Sequence, residues 1–212
     1  MSIVALSGTP RVKTSASAQI IRRLEATLGE PVPTYQATRL IRARDPGPAL
    51  AEIVGAEAVL VVFPLYVDAL PAPLVRALTL LEQTPRAATV PRVYAVVNCG
   101  FIEAENTGLA LDMVAHFCER IGWAWQYGVG IGAGEYLTTL PYDTVRGPAA
   151  RVFATLDDLA NAVRTGAPPR ENVLVAPRIP RALYTLAAHQ GWRRQAKAYH
   201  TTDLMARPYA RG

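Results

Sequence analysis

Cysteine and long apolar runs are scarce in this 212-residue sequence, and each scarcity excludes a class of protein. Two cysteines, Cys99 and Cys118, are too few for a disulfide scaffold and fit a reducing compartment. The longest apolar run, residues 58–67, falls far short of the ~20 residues that a membrane-spanning helix needs. No basic segment precedes the first apolar run, so we expect no signal peptide and a cytoplasmic protein. A hydrophobic content of 50% excludes intrinsic disorder.

Several motifs of nucleotide-binding and hydrolytic proteins are also missing. The sequence has no Gly-x4-Gly-Lys-Ser/Thr phosphate loop and no Gly-x-Ser-x-Gly nucleophile turn. His189 and His200 are too isolated in sequence to predict a metal site, and His116 lies with Asp112 and Glu119 on the polar side of a predicted helix, which is typical of a solvated face. Glycines alternate from Gly128 to Gly134, but their spacing differs from the Gly-x-Gly-x-x-Gly dinucleotide fingerprint. We interpret that segment as a tight exit from a strand.

The positive charge is concentrated near the C-terminus. The chain has a net charge of +5, and from Arg178 onward seven basic residues accompany one acidic residue. The remainder is therefore close to neutral, and its aromatic and basic residues do not alternate, so we expect no nucleic-acid partner. The simplest expectation for the tail is packing on the body or on a second subunit. Contact with an anionic membrane surface stays open, because basic residues there lie beside Trp and Leu.

Short apolar runs alternate with segments of helical periodicity, which predicts an α/β fold. Runs near residues 3–6, 32–37, 58–63, 93–97 and 123–129 are typical of buried strands, and most of them are followed by apolar residues at helical spacing. Such alternation predicts a doubly wound, five-stranded parallel sheet with helices on both faces. We assign residues 1–166 to this domain and residues 167–212 to a Pro-rich linker with a basic, partly helical C-terminal extension.

The segment after the first predicted strand has the composition of an anion site. It combines hydroxyl groups with a cation and leads into a helix, whose N-terminus carries free N–H groups and partial positive charge. We expect five side chains to hold a phosphate group: Thr9, Arg11, Thr14, Ser15 and Ser17. An ordinary capped loop stays open as an alternative, because Ser and Thr are common helix N-caps.

Two further loops follow the third and fourth predicted strands. The first is stiffened by prolines and could form a flat apolar wall from Pro64, Leu65, Tyr66 and Val67, or serve as a connection whose Tyr66 covers the sheet edge. The second offers a polar group and a close backbone approach through Asn98, Cys99, Gly100 and Phe101. Because ligands of open α/β sheets bind beyond the carboxyl ends of the strands, we expect these loops to share one site. Cys99 has no histidine near it in sequence to form a thiolate, which also fits a filler of half-buried space.

These motifs resemble those of NADPH-dependent FMN reductases. Residues 8–11, Gly-Thr-Pro-Arg, followed by Thr14 and Ser15, resemble the Gly-Ser-Pro-Arg phosphate loop of that family. Pro64-Leu65-Tyr66, with the Pro-rich residues 70–74, resembles the flavin-ring loop of the same superfamily, which includes azoreductases and quinone reductases. The sequence departs from the family at Ala16, where a hydroxyl or amide is common, and at residues 67–68, Val-Asp, where many relatives have an aromatic residue and glycine.

The resemblance implies a flavodoxin-like fold with strand order 2-1-3-4-5 and a bound FMN. NADPH or NADH would deliver hydride to the flavin, and a quinone, nitro, azo or flavin acceptor would take the electrons. No side chain is then expected to be indispensable for acid–base chemistry, and a backbone N–H of Ala16 would join the phosphate ligands. A homodimer would complete the pocket. Two alternatives stay open: a flavodoxin-like electron carrier, and a flavin-free protein that binds a partner.

Overall fold

The computed structural model describes residues 1–11, 15–201 and 203, and it contains one parallel sheet. Its strands are β1 (Ile3–Ser7), β2 (Thr34–Gln36), β3 (Ala58–Pro64), β4 (Arg92–Asn98), β5 (Ala124–Ile131) and β6 (Val173–Val175). They lie in the order β2-β1-β3-β4-β5-β6, and every neighbouring pair is parallel. The predicted α/β, doubly wound, flavodoxin-like order is confirmed for the first five strands.

The predicted strand count was wrong, because a sixth strand extends the sheet beside β5. β6 is three residues long and lies inside the segment that the sequence assigned to a Pro-rich linker. Its three residues, Val-Leu-Val, are all apolar, but so short a run between Asn172 and Pro177 does not distinguish a strand from a loop. The sheet therefore continues beyond residue 166, and the first compact unit of the chain is Met1–Pro177.

Helices cover both faces of the sheet. They are α1 (Ala16–Leu28), α2 (Ala37–Leu40), α3 (Gly47–Gly55), α4 (Ala72–Gln83), α5 (Gly108–Ile121), α6 (Gly134–Leu137), α7 (Ala150–Thr165) and α8 (Arg181–Ala198), with a 3-10 helix at Ala104–Thr107. One core joins α1 and α7 to one face of the sheet. A second core joins the other face to the helices α2, α3, α4 and α5. Successive side chains of a strand point to opposite faces, so the continuous apolar runs of β1, β3 and β4 fill both cores.

Local sequence signals determine where several helices begin and end. The Ser15 hydroxyl accepts a hydrogen bond from the Ala18 N–H at 3.1 Å and caps α1. Gly29, Gly122 and Gly166 follow α1, α5 and α7 with left-handed φ values of 78°, 73° and 65°. Glycine adopts this conformation without the Cβ clash that other residues meet, so each of the three helices ends where the sequence places a glycine.

A largely buried ion pair fixes α1 against α7. The Arg23 guanidinium donates two hydrogen bonds to the Asp157 carboxylate, at 2.7 and 2.5 Å, and a third to the Tyr142 carbonyl. Thr27 donates to the same carboxylate at 2.6 Å. Because α1 begins at the predicted phosphate loop, this pair holds the helix that carries the loop.

A second compact unit begins at Arg178 and contains α8. No residue of α8 is buried, and Leu183, Leu186 and Trp192 are each more than half exposed. Within the described part of the chain, no helix has both the length and the apolar character required to cross a membrane.

Candidate functional site

Three loops meet at the carboxyl edge of the sheet, where β1, β3 and β4 end. β1 ends at Ser7 beside Val62 of β3, and β3 ends at Pro64 beside Asn98 of β4. Parallel strands necessarily present their carboxyl ends at one edge, so the loops that follow these strands are neighbours. The predicted site residues that the structure describes therefore lie in adjacent loops.

The first loop provides polar groups and the N-terminus of α1. Thr9, Ser15 and Ser17 are buried, and the Thr9 hydroxyl accepts a hydrogen bond from the Arg11 N–H at 3.3 Å. Thr9 and Ser15 each accept a backbone bond, which leaves the hydroxyl proton of each as a donor. The N-terminus of α1 adds backbone donors and partial positive charge. The predicted phosphate ligand Thr14 lies outside the described residues.

Asn98 connects the other two loops to the first. Its side-chain oxygen accepts a hydrogen bond from the Ser17 hydroxyl at 3.3 Å, and its backbone carbonyl accepts one from the Leu65 N–H at 2.8 Å. Asn98 and Ser17 are both buried, where an unpaired polar group would cost about 1–3 kcal/mol. One residue at the end of β4 thus links the loop of α1 to the loop that follows β3.

The loop after β3 forms a tight turn with unusual backbone geometry. Tyr66 and Ala69 pair through two backbone hydrogen bonds of 3.1 Å, and the two residues between them, Val67 and Asp68, have φ values of 50° and 55°. Left-handed backbone is unfavourable for a β-branched residue such as valine. Val67 is 97% exposed, so packing against the protein does not compensate for this cost. The turn presents Tyr66, itself 42% exposed, at the edge of the site.

The loop after β4 contains a buried thiol and an exposed ring. The Cys99 sulfur contacts the backbone carbonyls of Phe101 and Glu103 at 3.4 and 3.6 Å, and burial raises the pKa of this thiol. Its backbone N–H donates to Ile131 and its carbonyl accepts from Gly134. Cys99 therefore supports the loop as a neutral thiol. The adjacent Gly100 and Phe101 are exposed, and Phe101 presents a largely free aromatic ring.

The alternating glycines of β5 and its exit keep this loop close to the sheet. A Cβ on Gly130 would come within 3 Å of the Thr107 hydroxyl, one on Gly132 within 3 Å of the Ile102 carbonyl, and one on Gly134 at 2.8 Å from the Asn98 Cβ. Real Cβ atoms essentially never lie so close to a neighbouring heavy atom, so a side chain at any of the three positions would force its neighbour to shift. The interpretation of residues 128–134 as a tight strand exit fits this packing. Their specific role was not predicted from the sequence, although the period of two was the available signal.

Glu135 is a charged neighbour of the first loop that the sequence analysis missed. Its carboxylate lies 3.8 Å from the Arg11 guanidinium, and both side chains are mostly exposed. Exposed ion pairs contribute about 0–1 kcal/mol, so Arg11 stays available to a stronger anion. Glu135 and Arg11 lie far apart in the sequence, and nothing in the local sequence of Glu135 links the two.

The arrangement suits a ligand that has an anionic ester at one end and a planar ring at the other. The hydroxyls of Thr9 and Ser15, the α1 N-terminus and Arg11 are matched to the anion. Tyr66 and Phe101 offer apolar surface to a ring, and Asn98 offers amide hydrogen-bonding groups. FMN has both parts, so the residues present fit the cofactor that the resemblance implies.

Two cavities lie elsewhere on the molecule. A cavity of about 370 Å³ opens at the amino end of the sheet, beside Ser2, Pro33 and Glu52, and another of about 550 Å³ lies beside Arg22 and Tyr142. Neither is lined by a predicted site residue. Among residues 1–11, 15–201 and 203, no group of three or more His, Cys, Asp or Glu side chains is placed to hold a metal ion.

Comparison with known proteins identifies the fold. No family model matches the sequence, and no curated protein sequence matches it. The structure is similar to an NADH:FMN oxidoreductase, with a TM-score of 0.58 and 16% identity over 77% of this chain and 88% of that one. It is also similar to an NADPH-quinone reductase from P. pentosaceus, with a TM-score of 0.57 and 12% identity over 76% and 98% of the two chains.

A third similarity is to part of a longer protein. Rubredoxin oxygen:oxidoreductase from Desulfovibrio gigas matches with a TM-score of 0.51 and 11% identity, over 77% of this chain but only 35% of that one. At such low identities these similarities establish the flavodoxin-like fold and nothing finer.

Proposed function

We propose that this chain is an FMN-dependent NAD(P)H oxidoreductase that passes electrons to a small-molecule acceptor. The observation that carries the proposal is the junction at Asn98, which joins a loop suited to phosphate to two loops suited to a planar ring. Proteins named as an NADH:FMN oxidoreductase and an NADPH-quinone reductase share the fold, which supports the same general kind of function. A cytoplasmic location and a homodimer, expected from the sequence and the resemblance, belong to this proposal.

In this chemistry the protein would bind the FMN and orient it. FMN bound at this edge would supply the hydride-transfer chemistry. Thr9, Ser15 and the α1 N-terminus would hold its phosphate, and Arg11 would exchange its weak contact with Glu135 for a stronger one. Tyr66 and Phe101 would cover apolar ring surface and exclude water. An acceptor such as a quinone, nitro, azo or flavin compound would approach from the exposed side of these two rings.

Binding of FMN and of riboflavin to the same variants tests the phosphate part of the proposal. Loss of a hydrogen bond to a charged group costs about 1.5–3 kcal/mol, so we expect Arg11→Ala to weaken FMN binding roughly 10- to 100-fold. Riboflavin lacks the phosphate, and its affinity should stay unchanged. Arg22→Ala, at an exposed arginine of α1 outside the site, is the matched control.

Three outcomes of these measurements separate the candidate functions. FMN binding together with NADH or NADPH oxidation by the pure protein and an artificial acceptor supports the oxidoreductase. FMN binding without nicotinamide oxidation favours the electron carrier. Absence of a flavin absorbance band after FMN addition and gel filtration, with no quenching of FMN fluorescence, contradicts both and leaves the partner-binding protein.

A further inference from the structure

The solvent-facing side of α5 combines apolar and acidic residues. Leu109, Asp112, Met113, His116 and Glu119 recur at spacings of three and four, which places them on one face of the helix, and all five are exposed. Leu109 is 64% exposed, and its apolar surface lies close in sequence to the exposed Phe101 ring. Residues 99–119 contain four acidic residues and no Lys or Arg, and the next residue, Arg120, is paired with Glu82. We call this surface the α5 face.

One side of α8 has the complementary composition. Leu183, Leu186, Gln190, Arg193 and Lys197 recur at the same spacing along this helix, and all five are exposed. The 18 residues of α8 include four basic residues and no acidic one. Most helical stability in proteins comes from packing of an apolar face, and no residue of α8 is buried. We call this surface the α8 face.

From these two surfaces we infer that the α8 face of one copy of the chain docks on the α5 face of a second copy. When the helices run parallel with Leu183 beside Leu109, Leu186 lies level with Asp112 and Met113, and Arg193 aligns with Glu119 at the other end. The antiparallel alignment would place Arg193 against Leu109 and Leu183 against Glu119, so it would lose both the apolar contact and the ion pair. Pairing of two α5 faces with each other would oppose acid with acid, which is unfavourable. Charge therefore selects the basic helix as the occupant.

A two-fold dimer would contain this contact twice, because each copy supplies one α5 face and one α8 face. Leu109, the first residue of the α5 face, follows Phe101, a predicted ring contact, by eight positions in the sequence. The inference specifies the homodimer of the proposed function, but it does not require that FMN binds.

Reciprocal charge reversal tests the pairing in the full-length chain. The first variant carries Glu119→Arg, and the second carries Arg193→Glu. Each reversal opposes like charges at both contacts of its own dimer, and we expect the dimer dissociation constant to rise roughly 10-fold or more. A mixture of the two variants restores opposite charges at both contacts, so the mixed dimer should form with near-native affinity. Light scattering after gel filtration, with one variant mass-tagged, measures this.

The control reverses two exposed acids elsewhere, Asp143→Arg with Asp158→Arg, and should leave the dimer intact. A monomeric native chain at high concentration overturns the inference, and so does a mixture that dimerises no better than its components. Binding of the native chain to vesicles containing anionic lipid, with no dimer in solution, would assign α8 to a membrane and would also overturn it. Circular dichroism and FMN binding of each variant show that folding and the proposed site are unaffected.

Discussion

Ser15 shows how one side chain can serve both the fold and the site. Its hydroxyl caps α1, and the same atom lies in the loop that we propose binds phosphate. An N-cap side chain contributes about 1 kcal/mol, so we expect Ser15→Ala to lower the free energy of unfolding by about that amount in a urea titration. Ser15→Asn retains a capping oxygen and should lose a few tenths of that at most. Equal losses for both substitutions would show that the cap contributes nothing.

Gly130 is constrained by the packing of the 3-10 helix on β5. A Cβ at this position would overlap the Thr107 hydroxyl, which is itself buried. Overpacking of this kind typically costs 1–3 kcal/mol, so Gly130→Ala should be destabilising by about 1–3 kcal/mol in chemical denaturation. Gly55→Ala is the matched control, because a Cβ there meets nothing within 4 Å. A Gly130→Ala variant as stable as Gly55→Ala would contradict the assigned contact.

Single residues also show which parts of the site the sequence could predict. Ser15 and the helix-ending Gly29 were predictable because capping depends on neighbours within a few positions. The bond between Ser17 and Asn98 joins residues 81 positions apart, and it exists only because β1 and β4 end at the same edge. Cys99 was placed in the right loop, but local sequence does not show that its sulfur faces the backbone of its own loop.

Among the secondary-structure elements, the contact between α1 and α7 has the clearest energetic consequence. The Arg23 side chain is 10% exposed, and Asp157→Ala would leave this charge without its carboxylate. Removal of one partner of a buried pair costs about 3–5 kcal/mol, and the partial exposure of Asp157 should bring the loss to about 2–3 kcal/mol. Glu82→Ala breaks the more exposed pair with Arg120 and should cost less than about 1 kcal/mol.

Thermal and urea unfolding of the Asp157→Ala and Glu82→Ala variants give the comparison. Because α1 begins at the proposed phosphate loop, Asp157→Ala should also weaken FMN binding, whereas Glu82→Ala should not. Equal stability losses in the two variants would contradict the importance assigned to the α1–α7 pair.

Long elements were predictable from the sequence, and short ones were not. β1, β3 and β4 are continuous apolar runs, and α5 and α7 have enough apolar residues to show the helical period. α6 and β6 have four and three residues, which is too few for any period to be recognised. β6 exists because the exposed edge of β5 offers backbone groups to pair with, and Asn172 fixes the approach by accepting a hydrogen bond from the Gly128 N–H at 2.8 Å.

Across the whole molecule, buried acidic protons predict a loss of stability in alkali. Burial raises the pKa of Cys118 from 9.0 to about 12, and it also raises those of Cys99, Tyr94 and Tyr127. At a pH between the pKa of such a group in the unfolded chain and its higher pKa in the folded chain, the unfolded chain has released a proton that the folded chain retains. The free energy of unfolding therefore falls as the pH rises above 9.

For Cys118 alone this fall amounts to about 1.4 kcal/mol between pH 8 and pH 10, on an unfolded pKa of 9.0. Cys118→Ala removes the ionising group. The fall in its urea-derived free energy of unfolding between pH 8 and pH 10 should therefore be smaller than that of the native chain by about 1.4 kcal/mol. Val114→Ala, at another buried position of α5, creates a cavity without removing a titratable group, and its pH profile should run parallel to that of the native chain. Parallel profiles for all three proteins would show that the Cys118 thiol titrates in the folded state as it does in the unfolded chain, contrary to its burial in the α5 core.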